Sequence, residues 1–217
     1  MKSIETNGIT YIEALPGSSG EWYFGLDYPH GDLYEAEELF RAGKPVEGRD
    51  LILIHYPDGA VYRPVEKAAG EYSEAPVYSD RCIFILNVSF KDSEIRVLRF
   101  GCEDLTAQTA AVLPLDAVKD CYNLQLHVSP VTLTRQGAEG SFDMVWPERR
   151  SFEMGERESF FLRDGDRLFF NKWYEEGNGA DYRYWEETVV RSLDGKVLEV
   201  LPGDVKLMPG GELWHLR

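Results

Sequence analysis

Asp194–Arg217 reads DGKVLEVLPGDVKLMPGGELWHLR, and Asn7–Gly17 reads NGITYIEALPG. Both open on a turn dipeptide, Asp194-Gly195 and Asn7-Gly8. Both continue as an alternating segment, Val197–Leu201 and Ile9–Leu15, and both stop at Pro-Gly, Pro202-Gly203 and Pro16-Gly17. Alternation bounded by turn residues is the signature of a half-buried strand. The two ends of the chain therefore read as copies of one strand–turn–strand unit cut out of phase. That predicts a ring of β-units whose last member is completed by the first residues.

Working outward, the same four-strand unit recurs. The expected units are 21–66, 74–115, 122–154 and 158–201, with 204–217 completed by 1–16. The first contains Trp22–Leu26, Leu51–Tyr56 and Ala60–Val65, with turns at Tyr28–Asp32 and Pro57-Asp58-Gly59. Leu33–Ala42 does not alternate cleanly and is rich in Leu, Ala and Glu; it reads as a strand from Leu33-Tyr34 that passes into a helical turn. The second unit contains Pro76–Tyr78, Cys82–Val88, Ile95–Phe100 and Ala110–Leu115. The third contains Leu124–Val128, Val131–Thr134, Phe142–Trp146 and Ser151–Met154. The fourth is the clearest: Ser159–Leu162, a hairpin turn at Asp164-Gly165-Asp166, then Leu168–Tyr174, Tyr184–Arg191 and Val197–Leu201. The fifth offers only Val205–Met208, a turn at Pro209-Gly210-Gly211 and Leu213–Leu216. The first apolar residues of the second strands, Leu33, Ile83, Val131, Leu168 and Leu213, recur at intervals of 37 to 50 residues, and the interval across the joined ends is also 37.

This pattern resembles the β-propeller architecture: about four strands and 40–50 residues per blade. The expectation is an all-β, five-bladed propeller forming one domain over residues 1–217, with the N-terminal strands closing the last blade and leaving no free sheet edge. The resemblance is to the architecture and to no particular family. There is no Trp-Asp dipeptide at blade ends, no kelch double glycine and no Asp-box. A sandwich or irregular barrel is the alternative reading.

Composition bounds the function. The formal net charge is −15, which argues against nucleic acid, whose binding needs a basic footprint, and against anionic membranes. The acidity serves solubility and permits a basic partner or a cation. Cys82, Cys102 and Cys121 are odd in number and fit no zinc spacing, so free thiols and a cytoplasmic location are expected. A monomer without a cofactor is expected as well. Met1-Lys2-Ser3 opens no signal peptide, and no apolar run is long enough to span a bilayer.

Five acids stand just ahead of the innermost strands: Glu21, Glu74, Asp120, Glu158 and Asp204. In a propeller they would lie near one mouth of the channel, where carboxylates bind cations or sugar hydroxyls. The resemblance also implies a precedent, since some five-bladed glycosidases carry catalytic carboxylates at comparable places. Trp22, Tyr72, Tyr122 and Phe160 neighbour these acids, either as sugar platforms or as packing between blades. The ligand-binding residues read from the sequence are Glu21, Trp22, Glu74, Asp120, Tyr122, Glu158 and Asp204; none is assigned as catalytic or metal-binding. His30, His55, His127 and His215 fit no metal-ligand spacing, His30 being expected at the surface. No nucleophile elbow, phosphate loop or dinucleotide fingerprint is present. The expectation is a non-enzymatic recognition module for a protein, peptide or glycan; the alternative is a carbohydrate-active enzyme using carboxylates at the channel mouth.

Overall fold

A computed structural model describes residues 1–27, 31–208 and 211–217. The chain divides into two compact units, Met1–Leu126 and His127–Arg217. The protein is all-β, built from antiparallel sheets that are each open. Of the expected turns Tyr28–Asp32 and Pro209-Gly210-Gly211, residues 28–30 and 209–210 lie outside the described residues, as does His30, expected at the surface.

In the first unit, β1 (Ile12–Ala14), β2 (Trp22–Leu26), β3 (Leu51–His55) and β4 (Val61–Tyr62) form one sheet in sequence order. Trp22, Phe24 and Leu26 alternate with Tyr23 and Gly25, so β2 turns its large residues to one side. Leu51–Ile54 is a continuous apolar run because it is covered on both faces: Leu51 and Leu53 join Leu15, Trp22, Phe24, Ile83, Ile85 and Phe100, while Ile52 and Ile54 pack with Ile9. The second sheet holds β5 (Glu71–Ser73) and β6 (Val77–Ser79), both paired to β7 (Cys82–Ser89), then β8 (Glu94–Gly101) and β9 (Ala107–Pro114).

The expected closure is corrected here. The N-terminal strand pairs with β2, in register Ile12↔Gly25 and Ala14↔Tyr23. Gly25 explains the choice of partner. A Cβ there would stand 2.7 Å from Ile9 Cγ2 and 3.2 Å from the Tyr11 carbonyl, so only glycine admits the N-terminal segment this close.

A second correction concerns Leu33–Ala42, which holds no strand. Residues Leu33–Arg41 form the helix α1. Asp32 caps it: its carboxylate accepts from Glu35 N at 2.8 Å, and the Glu35 carboxylate accepts from Asp32 N at 3.2 Å. That reciprocal box satisfies two donors a free helix end leaves open. Leu33, Ala36 and Glu37, at i, i+3 and i+4, make the buried face.

Strand β10 (Leu124–His127) leads to β11 (Thr132–Gln136), β12 (Ser141–Trp146) and β13 (Arg150–Glu153), again in sequence order. The next sheet is β14 (Glu158–Asp164), β15 (Arg167–Glu176), β16 (Arg183–Ser192) and β17 (Val197–Pro202). The expected hairpin at Gly165-Asp166 is present, Asp164 pairing Arg167 with Gly165 at φ +57°. Phe142, Met144, Phe160, Leu168, Phe170 and Val189 form one buried cluster of this unit, and Leu162, Phe169, Val190 and Val205 form another. The last strands, β18 (Asp204–Leu207) and β19 (Leu213–Leu216), are a two-stranded sheet. Among the described residues, no helix is long and apolar enough to cross a membrane.

Candidate functional site

The first turn of α1 leaves backbone N–H groups without partners inside the helix. Asp32 takes one of them, and Glu74 takes another: its Oε1 accepts from Leu33 N at 3.1 Å. Glu74 follows β5, whose Tyr72 is fully buried and whose hydroxyl donates to the Gly31 carbonyl. Beneath the helix end lies Arg49, only 5% exposed. Its Nε donates to the Asp27 carbonyl at 2.9 Å and its Nη1 to the Ser73 carbonyl at 3.1 Å, and its guanidinium sits 5.1 Å over the Tyr72 ring. Glu74 Oε2 receives a 3.4 Å contact from the same Nη1.

This geometry sets the proton affinity of Glu74. Burial raises its pKa above the usual carboxylate value, Arg49 and the N–H groups of Ala75 and Leu33 oppose that, and the nearby Asp32 charge adds to the rise. Its side chain keeps 23% exposure, so the carboxyl is neither sealed nor solvated. Burial also pushes the Tyr72 phenol up to about 12, which keeps it a hydrogen-bond donor. Asp27 completes the surroundings: it accepts from Asp50 N and from Lys67 Nζ, both at 2.6 Å.

The flank of α1 gathers two more of the residues singled out in the sequence. Glu37, buried, pairs with Arg41 at 2.6 Å and accepts from Cys121 N at 2.7 Å. Burial pushes the Cys121 thiol up, well away from a reactive thiolate. Asp120 accepts from Tyr122 N at 3.1 Å, and the Tyr122 ring meets Tyr34 edge-on at 5.3 Å. Glu74 at the helix end, with Asp120 and Tyr122 on its flank, therefore belong to one neighbourhood around α1.

Of the other expected site residues, Glu21 and Trp22 belong to the first unit, and Glu158 and Asp204 to the second. Glu21 is exposed at the start of β2. Trp22 is 2% exposed and packs against His55, Tyr62 and Phe100. It is a core residue, and the expectation of a ligand platform there is corrected. In the second unit Glu158 is held by Arg191 through two bonds of 2.9 and 3.0 Å and accepts from Gly155 N at 3.0 Å. At 3% exposure it has nothing left for a ligand, a second correction. Asp204 lies on β18 and pairs with Lys206 at 2.5 Å.

Sequence reading missed Arg49, Asp27 and Asp32. The spacing Asp32-x-x-Glu35 was the available signal, since it is a capping box that marks a helix start. Among the described residues, no group of three or more His, Cys, Asp or Glu side chains is placed to hold a metal ion.

No protein-family model matches the chain, and none of the curated proteins does. Among solved structures, the chain is similar to the crystal structure of a "putative 6-phosphogluconolactonase" from Bacteroides uniformis, at 14% identity and a TM-score of 0.44. The match covers 98% of this chain and 65% of that one. The expectation of a non-enzymatic recognition module is corrected: the similar structure is described as an enzyme's. At that TM-score no activity passes from that protein to this chain.

Proposed function

We propose that the first unit carries an acid–base site of the glycoside-hydrolase kind, with Glu74 as proton donor. The reading rests on one observation: Glu74 is a partly exposed carboxyl whose burial raises its pKa, next to a second carboxyl, Asp32, that caps the helix end. A pair of neighbouring carboxyls, one of them partly desolvated, is the arrangement that divides acid and base roles. Glu74 protonates the leaving oxygen. Asp32, with one oxygen engaged by Glu35 N, has the other to direct a water or to face the developing positive charge. The substrate class is a sugar acetal.

The test is hydrolysis of a panel of nitrophenyl glycosides. The wild type should turn over at least one of them. Glu74→Gln, which keeps an acceptor for Leu33 N, should lower kcat by about 10²–10⁴, the usual worth of general acid catalysis. Asp32→Asn is the matching variant, because Asn caps a helix as well as Asp does and separates chemistry from folding. No turnover across the panel, or full activity in a folded Glu74→Gln protein, would sink the reading.

A further inference from the structure

Strands β15 and β16 pair over their whole length, from Arg167↔Ser192 to Glu176↔Arg183. Their neighbours stop earlier. Pairing of β14 with β15 ends at Lys172, and pairing of β17 with β16 ends at Glu187. Residues 173–176 and 183–186 thus extend as a two-stranded ribbon past the ladders on either side.

That ribbon is aromatic where a solvated hairpin would be polar. On one face Tyr174 and Trp185, directly opposite in register, stack at 5.0 Å with their planes 6° apart. On the other face Trp173 is 36% and Tyr184 52% exposed. Rings gathered at a surface mark a binding patch more often than isolated apolar residues do. These rings are also held. The Tyr174 hydroxyl donates to Glu187 at 2.8 Å, and the Tyr184 hydroxyl donates to Glu186. Fixing them in advance removes part of the ordering cost of a ligand.

Charge narrows the ligand. From Lys172 to Glu187 there are five acids, Glu175, Glu176, Asp181, Glu186 and Glu187, against two bases, Lys172 and Arg183, a net charge of −3. A polyanion is repelled. A cationic ligand finds its places taken: Lys172 stands 5.5 Å from the Tyr174 ring and Arg157 stands 4.8 Å from the Trp173 ring. The Glu187 carboxylate beside the stack already receives the Tyr174 hydroxyl. Among the described residues no cation covers Trp185, which is 38% exposed. What remains is a flat indole with hydrogen-bond acceptors near it. That suits the C–H face of a pyranose, with the acceptors taking its hydroxyls.

We infer that the Tyr174–Trp185 face of this ribbon is a stacking surface for the uncharged pyranose units of a glycan. It holds the substrate class proposed for the acid–base site and rests on that reading to this extent. Its own test reads binding, so the two can fail separately.

The experiment is affinity electrophoresis of the full chain through gels containing neutral polysaccharides (glucomannan, xylan, hydroxyethyl cellulose, starch), with alginate and a poly-arginine peptide as the charged arms. Retardation by at least one neutral polymer is expected, weakened tenfold or more by Trp185→Ala. Tyr174→Phe keeps the ring and should keep most of the binding. Near-ultraviolet circular dichroism checks that each variant is folded. Retardation by none of the neutral polymers, or equal binding by a folded Trp185→Ala protein, would overturn the inference. So would binding of the poly-arginine peptide that Trp185→Ala abolishes, which would make the surface a basic-peptide site.

Discussion

Glu74 and Glu158 look alike in the sequence, each an acid just ahead of a strand, and each meets an arginine in the structure. The meetings differ. Arg191 gives Glu158 two bonds of 2.9 and 3.0 Å, and Gly155 N supplies a third. Arg49 spends its Nε and its shorter Nη1 bond on backbone carbonyls and leaves Glu74 a 3.4 Å contact. One glutamate is a sealed ion pair at 3% exposure; the other is a partly desolvated carboxyl at 23%. A fork aimed squarely at a carboxylate makes structure, whereas a fork turned to the backbone leaves a carboxyl able to take and give a proton.

The comparison breaks first at Glu158. Replacing it with Ala leaves Arg191 buried without its partner and should cost about 3–5 kcal/mol. Urea denaturation measures this, and Glu158→Ala should unfold at far lower urea than Glu74→Ala. Equal losses would erase the distinction.

Next in size, the two units should respond to mild acid in opposite directions. His127 packs on Phe160 at 4.7 Å, and its Nε2 is without a hydrogen-bond partner among the described residues. Burial lowers its pKa from 6.5 to about 4. The unfolded chain then binds a proton that the folded one refuses, so stability is lost as pH falls from about 6.5 to about 4, by up to ~3 kcal/mol. Glu74 works the other way. Its folded pKa is raised, so its contribution is present in acid and lost as pH rises through that pKa. Amide hydrogen exchange at pH 4.5 and pH 7 should show β11–β16 opening more readily in acid, and His127→Phe should remove that dependence. A pH-independent second unit would contradict it.

The smallest effect sharpens the site itself. Asp32→Ala removes the helix cap and should cost about 1 kcal/mol, while Asp32→Asn should cost little. Thermal unfolding of the two variants separates the cap from the charge.

The sequence showed the β-units wherever local signals decide them. Alternation and turn residues placed β7, β8 and β14–β17 because hairpins pair neighbours in the chain. It misplaced the N-terminal strand because likeness between Ile9–Leu15 and Val197–Leu201 says that both are strands, not which edge each joins. The partner is fixed by the hole at Gly25, a contact that only the folded sheet shows. Leu33–Arg41 turned on Asp32 and Glu35, whose reciprocal bonds start a helix where Leu33-Tyr34 read as a strand. Of the candidate site, Glu74, Asp120 and Tyr122 were legible, since acids and aromatics before strands stand out. Trp22 and Glu158 were misread for a common reason: burial and the arginine 33 residues away depend on packing that spacing does not carry.

The most direct test is a titration of the Glu74 side-chain carboxyl by carbon NMR, with Glu74→Gln to assign the signal. A midpoint above that of an ordinary glutamate is expected, falling toward the ordinary value in Asp32→Asn as the neighbouring charge is removed. A midpoint at or below the ordinary value, unmoved by Asp32→Asn, would place Glu74 with Glu158 as a structural carboxylate and contradict the central claim.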